Sequence, residues 1–111
     1  MSSPEETLKA LLAAGVVLAM SCGPIQSTAV LLDAENMMEA ARTAQAEKLA
    51  PYEWTAAGLY FAKSKEEVGA SEFEAAVGYG KKALDFAKRA RDVALKNGRR
   101  DEGLQPPVAP E

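Results

Sequence analysis

The chain has 111 residues, 48% of them apolar, with 13 Lys plus Arg against 16 Asp plus Glu, one Cys and no His, which allows at most one small domain. Without imidazole or a second thiolate, the composition excludes a His-containing zinc site, a Ser-His-Asp or Cys-His nucleophile, a His general base and an internal disulfide. A net charge of -3 is too small to argue for wholesale binding of nucleic acid or a membrane surface, so any electrostatic argument rests on where the charges sit.

Ala10 to Met20 is an unbroken run of apolar and small residues, shorter than the roughly 17 to 25 residues that span a bilayer and within the about 7 to 15 of a secretory signal core. Small residues and the only Cys follow it. Leu18-Ala19-Met20-Ser21-Cys22 resembles the lipobox of bacterial lipoproteins, in which the Cys thiol receives a diacylglycerol and becomes the first residue after cleavage. The resemblance implies a signal peptide over residues 1–21 and a lipid anchor on Cys22. It departs from the usual pattern at Ala19, where Leu is common, and in a leader carrying Glu5 and Glu6 against Lys9. Gly23 after the Cys, by similarity to the sorting rule of Gram-negative lipoproteins, implies the outer rather than the inner membrane. The competing expectation is a soluble, non-lipidated helical bundle of cytosolic or secreted origin in which the N-terminal run packs as a fourth helix around an ordinary semi-apolar Cys.

The residues after the leader contain no alternating run rich in Val, Ile and Thr, so the predicted class is all-α. A first helix is predicted from Pro24–Thr28 to about Leu49, with Ser27 or Thr28 as cap and Leu31, Ala34, Met38, Ala41 and Gln45 as its buried stripe. Pro51 starts a second helix with Glu53 in its first turn, which Val68-Gly69 stops; Trp54, Ala57, Phe61 and Val68 share its face, with Ser64 or Lys65 between them. Ser71 with Glu74 forms a capping-box pattern for a third helix, ended by Asn97-Gly98. Phe73, Ala76, Val77, Gly80, Ala83, Leu84, Ala87, Ala90 and Ala94 recur on one face of it at three-four spacing, with Tyr79, Phe86 and Val93 on a neighbouring stripe. Gly and Ala there let a partner helix approach closely, which predicts a hairpin of the second and third helices. The predicted organisation is a helical domain over residues 22–98 and a tail over 99–111, where Pro106, Pro107 and Pro110 and scarce apolar surface argue against fixed structure.

Ser71-Glu72-Phe73-Glu74-Ala75-Ala76-Val77 followed by Lys81-Lys82-Ala83-Leu84 resembles the second helix of a tetratricopeptide repeat. A solenoid needs about three repeats of roughly 34 residues, so there is room for one such hairpin and a preceding helix only. Thr28-Ala29-Val30-Leu31-Leu32-Asp33-Ala34, Ala50-Pro51-Tyr52-Glu53-Trp54-Thr55-Ala56-Ala57, Tyr60-Phe61-Ala62-Lys63 and Glu66-Glu67-Val68-Gly69 resemble a helical domain of unknown function found in Gram-negative lipoproteins, related to the tetratricopeptide hairpin. This resemblance implies an envelope lipoprotein and carries over no catalytic residue. The OmpA-type domain that sometimes follows is missing from these residues.

Charge is separated along the sequence. Cys22 to Gly80 holds 4 basic and 9 acidic residues, Lys81 to Arg100 holds 8 basic and 2 acidic, and three acids follow. Lys81 and Lys82 open the basic stretch and are candidates to meet an acidic partner, although a solvated helix face explains them as well. Tyr52, Trp54, Tyr60 and Lys63 are the other candidate partner-binding residues, because aromatic rings with polar tips mark binding surfaces; core packing is the alternative. The expectation is an envelope protein partner or self-association and a membrane reached through the Cys22 lipid. No enzyme activity, cofactor, metal, nucleic acid or small-molecule substrate is expected, since the carboxylates Asp33, Glu35, Glu39, Glu66 and Glu67 have no evident pairing in a pocket.

Overall fold

The computed structural model describes residues 3–104, with side chains for all of these except 14–23 and Leu104. The expected lipid site at Cys22 and most of the apolar run therefore lie outside the described side chains, and residues 105–111 of the expected tail lie outside the described residues altogether. Among the described residues every element is an α-helix: α1 (Pro4–Thr43), α2 (Ala46–Leu49), α3 (Pro51–Gly69) and α4 (Phe73–Leu104).

The core is made almost entirely of alanine. Among the described side chains, Ala34, Ala41, Ala46, Ala50, Ala57, Ala76, Ala83, Ala87, Ala90 and Ala94 are the buried hydrophobic residues, and the largest fully buried side chains are Ser27 and Ser64. On α4, Ala76, Gly80, Ala83, Ala87, Ala90 and Ala94 alternate steps of four and three, the spacing of a heptad seam. The facing helices carry small residues seven apart: Ser27, Ala34 and Ala41 on α1, and Ala50, Ala57 and Ser64 at and along α3. Small side chains let backbones close toward the lower end of the roughly 8 to 10 Å at which helices pack. Larger residues such as Leu49, Trp54 and Val93 flank the seam and cover the alanines.

α4 is the central helix, packed against both α1 and α3, which meet each other much less. α3 and α4 form the predicted hairpin. Tyr52 pairs with Phe86, Tyr60 with Tyr79, and Ser64 Oγ donates to Ala76 O at 2.6 Å, so partner numbers fall on one helix as they rise on the other, an antiparallel register. α1 runs parallel to α4: Val30 lies against Gly80, and Ala41 clusters with Ala90 and Ala94. The Cα atoms extend over 92 × 26 × 15 Å, long because α1 projects past the α3–α4 turn. Pro4 to Ala13 are all exposed, Leu8, Leu11 and Leu12 at 59%, 66% and 63%.

Several predicted boundaries differ. The first helix does not start at Pro24–Thr28, because the apolar run before it is itself helical and Pro24 lies inside α1. Proline there leaves the ladder one N–H short, and the hydroxyls expected to cap turn back on the helix: Ser27 Oγ and Thr28 Oγ1 donate to Pro24 O at 2.9 and 2.8 Å. Nor does this helix run on to Leu49. Gln45 adopts the left-handed conformation, φ 63°, between α1 and α2, and is exposed rather than part of the buried stripe.

Ser71 is likewise left-handed, φ 60°. Its N–H donates to Val68 O at 3.0 Å and the Glu72 N–H to Glu67 O at 2.8 Å, the two bonds of a Schellman motif that closes α3. The predicted capping box therefore does not form, and α4 opens from Glu72, whose carbonyl accepts the Ala76 N–H at 2.9 Å. At the other end α4 continues past Asn97-Gly98 to Leu104, into the stretch expected to lack structure. Asn97 does not terminate its own helix; its Nδ2 donates to Leu49 O at 2.7 Å and satisfies a terminal carbonyl of α2.

Candidate partner-binding face

Antiparallel pairing sets α3 and α4 side by side, so aromatic residues flanking the two seams meet on one side of the hairpin. Tyr60 stacks on Tyr79 with ring centroids 6.3 Å apart and on Phe86 at 5.5 Å, and Phe86 receives Tyr52 edge-on at 6.3 Å. The four rings form a row that alternates between the helices. Tyr60, Tyr79 and Phe86 are half-buried, while Tyr52 is 73% exposed. Offset and edge-on pairs of this kind contribute about 0.5 to 1.5 kcal/mol each beyond their area.

Cations border the row. Lys82 Nζ lies 5.4 Å from the Tyr60 ring centre and 5.9 Å from that of Tyr79, and the Arg89 guanidinium lies 5.2 Å from Phe86. Arg89 also pairs with Asp85 at 2.7 Å; among the described residues no carboxylate comes within ion-pair distance of Lys82. At about 100° per residue along α4, Tyr79 and Phe86 lie some 100 to 120° round from Gly80, the residue against which α1 packs. The aromatic row is thus on the side of the hairpin that α1 leaves open.

Of the six candidate partner-binding residues, Tyr52, Tyr60 and Lys82 come together here. Trp54 does not join them. It packs on the alanine cluster of α1, α2 and α4 and carries the Arg42 guanidinium over its ring at 5.7 Å, which is core use. Lys63 is held on α3 by Glu67 at 3.0 Å and Glu66 at 3.2 Å. These carboxylates, Glu67 foremost, hold its ammonium pKa above the ordinary 10.5. Lys81 is exposed on α4 beside Lys82. Two members of the row, Tyr79 and Phe86, were not among the candidates. Their seven-residue spacing was visible, but only the antiparallel register shows that Tyr60 falls between them.

Lys48, Arg99, Asp101 and Glu102, charges of both signs, line one shallow cleft where α2 meets the end of α4. Asp33, Glu35, Glu39 and Glu66 are exposed, and Glu39 pairs with Arg42 at 2.9 Å. Among the described residues no buried polar side-chain atom lacks a hydrogen-bond partner, and no group of three or more Cys, Asp or Glu is arranged to hold a metal ion. Among the same residues no helix is long and apolar enough to cross a membrane. Comparison with protein-family models, with curated proteins and with solved structures finds no match.

Proposed function

We propose that the protein is a lipoprotein of a Gram-negative envelope, anchored to the outer membrane through Cys22 and facing the periplasm, whose tetratricopeptide-like hairpin binds another envelope protein through the aromatic row of α3 and α4. The observation that carries this reading is the exposure of the leader. Pro4 to Ala13 project beyond the α3–α4 turn with three leucines in solvent, an arrangement that suits a segment made to be recognised and removed rather than a fourth helix of the bundle. The lone Cys at the end of the apolar run, and the lipobox resemblance around it, supply the anchor. A carrier of two or three acyl chains stays on a membrane without any spanning helix, since each buried methylene contributes about 0.8 kcal/mol. The open row of Tyr52, Tyr60, Tyr79 and Phe86 with Lys82 offers the rigid aromatic surface on which binding hot spots concentrate.

The test is metabolic labelling with palmitate in a Gram-negative host, together with the intact mass of the purified chain. The expected product begins at Cys22, carries the label and requires detergent; Cys22→Ala carries none. An unlabelled, soluble chain with Met1 intact would sink the reading. In the labelled protein, Tyr60→Ala and Lys82→Glu are expected to reduce capture of the envelope partner at least tenfold.

A further inference from the structure

α1 carries a second apolar stripe, on the side opposite its packed seam. Ile25 is 67% and Leu32 53% exposed, and with Pro24, Thr28 and Ala29 they line a shallow apolar depression. Positions 25, 29 and 32 share one helix face, and at about 100° per residue the seam of Ser27, Ala34 and Ala41 lies roughly half a turn round from it. Counted back three residues in the sequence from Ile25, the same spacing gives position 22. Further back it reaches Leu11 and Leu8, both exposed. Followed forward it ends, because Asn36 and Glu39 occupy its next two positions.

Position 22 is the proposed lipid attachment point, so the stripe starts three residues after the anchor in the sequence and stays close to it. Ile25 is about 4.5 Å and Leu32 about 15 Å further along the helix axis. We propose that in the anchored protein the stripe of Ile25, Ala29 and Leu32 rests in the bilayer interface, so that α1 lies along the membrane and the α3–α4 aromatic row faces away from it. The proposal rests on the Cys22 anchor. Acyl chains fixed at the start of the stripe hold its side chains at high effective concentration beside the bilayer, where even a short amphipathic face inserts.

A second copy of the chain is a poorer occupant, because a stable interface needs about 800 Å² from each partner and two large side chains with their small neighbours fall well below that. The attraction is apolar rather than electrostatic. No Lys or Arg occurs between Lys9 and Arg42, while Asp33, Glu35 and Glu39 follow the stripe, which suits a zwitterionic surface better than an anionic one.

The experiment places a tryptophan on the stripe by Leu32→Trp in a Trp54→Phe background. Leu95→Trp, at the distal end of α4, serves as control. Both chains are produced acylated and floated with phosphatidylcholine vesicles containing brominated acyl chains. The stripe tryptophan is expected to emit at least 10 nm to the blue of the control and to be quenched at least twofold, with the control unquenched. A floated chain whose stripe tryptophan emits as in water and is not quenched overturns the proposal and leaves the anchor standing. Blue-shifted emission without vesicles, from a chain sedimenting as a dimer, overturns it in favour of a second copy. Failure of the anchor itself is separate: such a chain carries no acyl mass and does not float.

Discussion

Gly80 has the least room of the described glycines. A Cβ built on it would stand 2.6 Å from Val30 Cγ1 and 3.2 Å from Ser64 Oγ, so three helices meet where one hydrogen atom fits and a methyl group does not. Neither neighbour yields easily, since Val30 is β-branched and Ser64 is held by its bond to Ala76 O. Gly80→Ala is expected to lower stability by about 1 to 2 kcal/mol, overpacking outweighing the gain in helix propensity, and Val30→Ala in the same chain should recover part of the loss. Gly78, two residues away, has open space around it, and a methyl group there would meet nothing within 4 Å, so Gly78→Ala should instead raise stability by about 0.5 to 1 kcal/mol. Urea unfolding of the pair checks both; equal signs would refute the packing argument. That position 80 is small was legible in the three-four pattern. Which side chains make it so was not, because Val30 and Ser64 are 50 and 16 residues away in sequence. Lys63 gives a second prediction at this scale. Its pKa is raised in the folded protein by Glu67 and then Glu66, so its contribution is complete below pH 10.5 and lost as the pH climbs through the higher folded value. The stability difference between the native chain and Lys63→Met should be constant to about pH 10 and then shrink.

The ends of the helices obey a different logic from their faces. Faces were more legible: the alanine seam of α4 and the Ala34–Ala41 side of α1 follow from spacing alone, whereas on α3 spacing gives Ala57 but leaves Ser64 and Lys65 as alternatives, and only the fold buries Ser64. Ends were legible at α3, which runs from Pro51 to Gly69 as its proline and glycine predict, and not at the other helices, because one residue type serves several termini. Ser71 fits an N-cap pattern with Glu74, yet a short connection that must reverse the chain needs a left-handed residue more than a cap, and Ser71 is the residue that supplies it. Asn97-Gly98 fits a helix stop, yet Asn97 is used on the carbonyl of Leu49, a contact 48 residues away that no local pattern contains. Substitutions at these two termini should therefore move stability in opposite directions. Ser71→Gly removes the Cβ that disfavours φ 60° and is expected to stabilise the chain by about 0.5 to 1 kcal/mol, a rise of several degrees in Tm for a domain of this size. Asn97→Ala leaves the Leu49 carbonyl without that donor and should cost about 1 kcal/mol, with Gly98→Ala as the control that tests whether a helix end at this position matters.

Over the whole molecule, the body begins where α1 first meets α4, near Gln26 beside Phe73 and Val77, and the described side chains before Pro24 do not contribute to it. This makes the leader separable in a way that unfolding can measure. If residues 1–13 bury no surface, their removal changes neither the free energy of unfolding nor its denaturant slope, since the slope follows the area exposed on unfolding. A chain starting at Ala14 is therefore expected to unfold in urea within about 0.5 kcal/mol of the full chain and with the same slope. A leader packed as a fourth helix would behave otherwise. Burying Leu8, Leu11 and Leu12 would stabilise the body by about 1.5 to 3 kcal/mol for each leucine, and deletion would lower both the stability and the slope. The same deletion removes three exposed leucines, so the shortened chain should also self-associate less at equal concentration. Sedimentation velocity alongside the urea curves separates the two effects: looser association with unchanged unfolding is the result expected of a projecting leader, whereas weaker unfolding would return those leucines to the core.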